Sequence, residues 1–250
     1  MASKLRVLMV LSSATKFTMT GKPTGWYLPE FAHPYTVLSE IADITVVSPK
    51  GGHSQVDPGS VNNTASTDTV SHSFLRDREE IWTNTGKISD FVGKEKDFDA
   101  LCCPGGHAPL FDLAEDNDLK SLIRDVYEAG KVVAAICHGV IVFKDVKLSN
   151  GEYLVANSAV TGFSNEEEDK AGLTDVCPVL VETELVKMGA IFEKSEVAFK
   201  AHVTVAHGGR LITGQNPASA PGFAEAIKNS LLKASNAKTE LKRSDIGDYD

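Results

Sequence analysis

Residues 131–140 read KVVAAICHGV, and this stretch decides the fold. Residues 132–136 are apolar at every position and include β-branched side chains, the pattern of a short strand buried on both faces. A strand of that kind belongs in a parallel sheet covered by helices. Its ending is unusual. Apolar runs ordinarily give way to turn formers, whereas this one delivers a thiol, an imidazole and a glycine at Cys137, His138 and Gly139.

The same grammar recurs along the chain. Residues 5–11 and 44–47 read as further buried strands, the second closed by Ser48-Pro49. Residues 100–103 read as a strand stopped by Pro104-Gly105-Gly106, and 159–161 and 211–213 as strands that each end at a glycine. Leu119, Leu122, Ile123 and Val126 fall on one helical face, with Gly130 as a stop. Residues 34–40, 179–188 and 223–232 also read as helices. The alternation predicts an α/β fold: a flavodoxin-like, doubly wound, mostly parallel sheet sandwiched by helices. The stretch VAFKAHVTVAHGGRLITG predicts a hairpin turning at Gly208-Gly209. Residues 1–233 are expected to form one domain, with 50–90 as an insertion or excursion over the sheet. Residues 234–250, which lack apolar periodicity, are expected to be a polar, loosely docked tail.

Composition narrows the function. The chain has 250 residues, 42% of them hydrophobic and 24% charged, with a formal net charge of -9. An acidic balance disfavours nucleic acid and anionic membrane as partners, because both require a basic footprint. The N-terminal apolar run is too short for a signal peptide, and no segment reaches the length of a membrane span. The cysteines, Cys102, Cys103, Cys137 and Cys177, show no CxxC spacing, so neither a disulfide framework nor a structural zinc site is expected. A reducing, cytoplasmic setting follows, with the nucleus as a second location.

In open α/β sheets ligands bind beyond the carboxyl ends of the strands. Four strand ends carry notable groups: CCPGGHAPLFD, AAICHGV, VTGFSNEEED and ITGQNPAS. Cys137 on a strand-to-helix turn has the setting of a nucleophile elbow, where a helix N-terminus favours the thiolate. His138 offers a general base and a backbone N–H for an oxyanion. Gly106 offers a second oxyanion donor, and His107 is a candidate pocket residue. Any one of Glu166, Glu167, Glu168 and Asp169 could orient His138; spacing does not choose among them. Glu30, set among apolar neighbours in TGWYLPEFAHPY, could be held protonated by desolvation and exchange a proton with sulfur or substrate.

Taken together, TGWYLPEFAHPY, DFDALCCPGGHAPLFDL, AAICHGV, VTGFSNEEED and RLITGQNPASA resemble the ThiJ/PfpI superfamily, with its class I glutamine amidotransferase-like fold. The resemblance is strongest to the fungal heat-shock and glutathione-independent glyoxalase III branch. It implies a homodimer and a Cys-His-Glu triad on Cys137, His138 and Glu168. It also implies a thiol-bonding Glu30 and an oxyanion site at Gly106 and the His138 amide. The implied activity is conversion of methylglyoxal, a small 2-oxoaldehyde, to lactate through a cysteine hemithioacetal, with no cofactor and no metal. Ala108 and Val140 stand where that branch often has glycine and proline, which bears on rate or substrate range. The alternatives are a stress-response chaperone or cysteine redox sensor, and a cysteine amidase, peptidase or protein deglycase.

Overall fold

The computed structural model describes residues 4–244. In chain order its elements are β1 (Leu5–Val10), α1 (Leu28–Ser39), β2 (Ala42–Ser48), α2 (Pro58–Asn63), α3 (Thr69–Asp77), α4 (Glu80–Thr83), β3 (Gly86–Lys87) and β4 (Ala100–Cys103). There follow α5 (Asn117–Glu128), β5 (Val132–Ile136), β6 (Ala159–Val160), α6 (Asn165–Ala171), α7 (Val181–Lys187), β7 (Ile191–Phe192), β8 (Val203–Ala206), β9 (Leu211–Gly214) and α8 (Ala220–Ser244). The main sheet has seven strands in the order β3-β2-β1-β4-β5-β9-β8. All neighbours are parallel except β8 and β9, which form the expected hairpin.

Side chains of a strand alternate between the two faces of its sheet, and here both faces are apolar. Leu8, Val10, Leu101, Cys103, Val133 and Ala135 enter one core with α5 and α7. Val7, Met9, Ala100, Cys102, Ala134 and Ile136 enter the other with α1 and α8. The adjacent Cys102 and Cys103 therefore point to opposite faces, and both are free thiols. This is the predicted doubly wound fold.

Several expectations need correction. Residues 159–161 do not extend the main sheet: β6 pairs in parallel with β7 in a separate two-stranded sheet. A two-residue strand leaves no periodicity from which its partner can be read. The first helix begins at Leu28 rather than at Pro34, because Pro29 already occupies the first turn, where a proline lacks no needed hydrogen bond. The Leu28 N–H is taken up by Ser60 Oγ at 3.1 Å. The polar stretch 50–90 contains α2, α3, α4 and edge strand β3, and Phe74 and Trp82 pack against Phe31 and Trp26 of the core. At the other end, α8 runs through Ser244, past the predicted stop at 232. Its last buried apolar residue is Leu231, and residues 232–237 of the helix are mostly exposed. Residues 245–250 of the predicted tail lie outside the described residues. Among the described residues, no helix is long and apolar enough to cross a membrane.

Two contacts position the strand ends. Asp112 accepts from Ser12 Oγ, Ser13 N–H and Ala14 N–H, tying the end of β1 to the loop after β4. Gly139 sits directly against the end of β4. A Cβ there would lie 2.5 Å from the Pro104 carbonyl oxygen and 2.6 Å from that of Cys103. We expect Gly139→Ala to lower the unfolding free energy by about 1–3 kcal/mol, the scale of overpacking a tight core. Urea denaturation checks this, and an unchanged midpoint would show that the β4 contact is not tight.

Candidate active site

β5 ends at Ile136, and the chain turns at once into a 3₁₀ segment, Cys137–Phe143, rather than an α-helix. Cys137 itself has φ +59°, a left-handed conformation that costs a non-glycine residue about 1–3 kcal/mol. Close packing holds it there. Gly105 backs onto the turn, where an added Cβ would lie 2.8 Å from Cys137 Cβ and 2.6 Å from Glu30 Oε2. Gly106, at φ +88°, abuts the backbone of Gly25 with no room for a side chain. The backbone N–H groups of Gly106 and His138 both face the Cys137 sulfur.

The expected thiolate is corrected by this geometry. Cys137 is buried, and burial together with the neighbouring Glu30 carboxyl pushes its thiol well above the ordinary range. The two amides oppose that shift and are outweighed. Cys137 therefore rests as a thiol.

Glu30 stands in the first turn of α1, fully buried. Its Oε2 accepts the Gly105 N–H at 2.9 Å, while Oε1 has no hydrogen bond of its own. Burial pushes the carboxyl up to about 8; the Cys137 thiol and the Gly105 amide only partly offset this. At neutral pH the carboxyl is protonated, as the sequence suggested, and it lies beside the thiol.

On the other side of the sulfur, His138 Nδ1 lies 3.3 Å from Sγ. His138 Nε2 lies 2.6 Å from Glu168 Oε2. A carboxylate only accepts, so Nε2 carries the proton and the Nδ1 lone pair faces the thiol. Burial, aided by His107, lowers the His138 imidazole to about 4 despite Glu168, so it is neutral. Burial alone would raise Glu168, but the two histidines hold it well below the usual carboxylate range.

Helix phase settles which acid faces His138. Ser164 and Glu167 form a capping box at the start of α6. Glu167 also accepts from Phe199 N–H and Asn216 Nδ2, so it is committed elsewhere. Glu166 is exposed and pairs with Lys170, and Asp169 is exposed. Glu168 alone of the four turns inward to the histidine.

His107 is more than a lining residue. Its Nε2 lies 2.8 Å from Glu168 Oε1, and its ring lies 3.9 Å from that of His138. The Phe163 ring also packs against His138, with ring centroids 4.4 Å apart. A third neighbour of Glu168 escaped sequence reasoning. The Cys177 thiol hydrogen-bonds to this carboxylate and is pushed up to about 12, chiefly by burial. Gly106, His107, Cys137 and His138 line a cavity of about 280 Å³ whose walls also include Tyr27, Asn63, Phe163, Phe199 and Pro217. Phe199 comes from a positive-φ position far along the chain, for which no local sequence pattern exists.

The DJ-1/PfpI family profile matches residues 27–230. The chain belongs to the DJ-1/PfpI family. Its relatives include the glutathione-independent glyoxalase hsp3102 of Schizosaccharomyces pombe, 30% identical over 91% of this chain and 98% of that protein. Glyoxalase 3 of Candida albicans is 31% identical over 89% of this chain and 97% of its own length. The crystal structure of glyoxalase III from Candida albicans superposes with a TM-score of 0.81 at 29% identity, covering 90% of this chain and 97% of that one. The Francisella tularensis Rapid Encystment Protein superposes at 0.83 with 36% identity, covering 91% and 99%.

The buried Glu30 has a stability consequence. Its folded-state pKa is about 8 against an ordinary value of 4.5, so the folded chain keeps a proton that the unfolded chain loses. Its contribution is present below the unfolded value and is lost as pH rises through the folded one. Glu30→Gln removes that titration. Relative to wild type, the variant should gain stability as pH rises from 4.5 towards 8, by up to about 1.4 kcal/mol per pH unit. Denaturation curves of both proteins across that range check it; a constant difference would mean that Glu30 titrates normally.

Proposed function

We propose that the protein is a glutathione-independent glyoxalase that converts methylglyoxal and water to lactate, with Cys137 as nucleophile. The observation that carries this reading is the pairing of opposite protonation states around one sulfur. His138 is a neutral acceptor 3.3 Å away on one side. Glu30 is a protonated carboxyl on the other. Sites that run acid and base chemistry together are built by pushing two titratable groups apart in this way. The names of the fungal relatives support the same activity.

The chemistry follows from the positions. Sγ adds to the aldehyde carbon while its proton passes to His138 Nδ1. Glu168, 2.6 Å from Nε2, stabilises the imidazolium that forms and offsets the weakening of this base by burial. The N–H groups of Gly106 and His138 receive the developing oxyanion. Return of the proton to that oxygen gives the hemithioacetal and frees Nδ1. Nδ1 then takes the carbon-bound proton while Glu30 protonates the adjacent ketone oxygen, which gives an enediol. His138 delivers its proton to the former ketone carbon while Glu30 regains a proton from the hydroxyl on the sulfur-bearing carbon, leaving a 2-hydroxyacyl thioester. Water cleaves the thioester to lactate and regenerates the thiol.

Homodimer assembly, a cytoplasmic or nuclear setting and a single domain over residues 1–233 belong to the same proposal. The test is to incubate purified protein with methylglyoxal, without glutathione, and to measure lactate. We expect steady production that Cys137→Ala abolishes and that Glu30→Gln slows by about 100-fold or more, the scale of losing a positioned acid. Absence of lactate from folded wild-type protein would refute the reading.

A further inference from the structure

Three donors of three chemical kinds converge around Glu168, next to the His138 ring. They are a His107 ring nitrogen, a Glu168 carboxylate oxygen and Cys177 Sγ, which all lie within 4.8 Å of one another, and His107 Nε2 is 2.8 Å from Glu168 Oε1. They come from separate places: the loop after β4, the first turn of α6, and the turn after α6. Cysteine spacing could not reveal this group, because only one of its members is a cysteine. We propose that His107, Glu168 and Cys177 form an inhibitory site for a soft divalent cation, zinc above all.

The donor set is the argument. Zinc takes thiolate sulfur, imidazole nitrogen and carboxylate oxygen together, and with three protein ligands it keeps a fourth position for water. Bonds of about 2.0–2.3 Å separate the donors of a tetrahedral zinc site by about 3.3–3.8 Å. The 2.8 Å His107–Glu168 contact therefore has to open slightly, within the reach of side-chain rotation. Access is available, because the His107 side chain is 16% exposed and Cys177 is half-buried. Binding replaces the Cys177 thiol proton, which leaves to solvent. His107 would ligate through Nε2, with Nδ1 carrying the ring proton.

The effect on the site follows from the two oxygens of Glu168. Oε1 would hold the ion while Oε2 still faces His138 at 2.6 Å. A dication on one oxygen drains the charge with which the other stabilises the His138 imidazolium. Occupancy would thus slow turnover without touching Cys137. The binding claim stands by itself; the inhibition rests on the glyoxalase reading.

Cobalt(II) serves as a spectroscopic stand-in for zinc. Chelator-treated protein, with the chelator removed, is titrated with cobalt under anaerobic conditions. Wild type and Cys137→Ala should both take one ion per chain with a sulfur-to-cobalt charge-transfer band, and Cys177→Ala should show no such band. Zinc should displace the cobalt. At saturation zinc should slow wild-type lactate formation by about tenfold or more, reversibly on adding chelator. The rate of Cys177→Ala, compared with and without zinc, should change far less. Absence of a thiolate band in wild type would overturn the proposal. So would a band that survives Cys177→Ala and vanishes in Cys137→Ala, since the ion would then sit on the nucleophile. Bound zinc without slowing would overturn the inhibitory role. A chain that forms no lactate even without zinc would refute the glyoxalase reading, while the cobalt spectra would still decide the site.

Discussion

A fully buried carboxyl group sits beside a thiol, and the rest of the site is arranged around that pair. Glu30 is fully buried, and one of its oxygens has no hydrogen bond. Such a group stays protonated at neutral pH, because burial penalises the charged form. The glycine at 105 leaves room for this pair, since a side chain there would meet both Glu30 and Cys137. Two anions side by side in that space are too costly, so the thiol keeps its proton as well until His138 can take it.

The arrangement places stability and chemistry in opposition. A buried carboxyl, a cysteine in a left-handed backbone and an imidazole with a lowered pKa each cost the fold something. Two strongly apolar faces of one sheet offset those costs, with α1 and α8 on one side and α5 and α7 on the other. The nucleophile therefore stands at the carboxyl edge of a rigid layer, and its acid and base arrive from different elements.

Much of this was legible in the chain itself. Strands buried on both faces announce a parallel sheet, and Cys137 and His138 are neighbours in sequence, so no folding is needed to pair them. Glu30 stood out because its neighbours are apolar. The four consecutive acids were not separable by spacing. Only the phase of α6, set by the Ser164–Glu167 capping box, turns Glu168 inward. Burial of the Cys137 sulfur reverses the effect expected of a helix N-terminus, and no local pattern reports burial. Cys177 and Phe199 reach the site through turns remote in sequence, and β6 is too short to carry a period. The limits lay where long-range packing decides.

The central claim is that Glu30 rests protonated against the Cys137 thiol. Infrared difference spectroscopy between wild type and Glu30→Gln reads it directly through the carboxylic-acid carbonyl stretch. The account predicts that this band is present in wild type at neutral pH, is absent from the variant, and fades as pH rises through about 8. A band seen only below about pH 5, where an ordinary glutamate protonates, would contradict it.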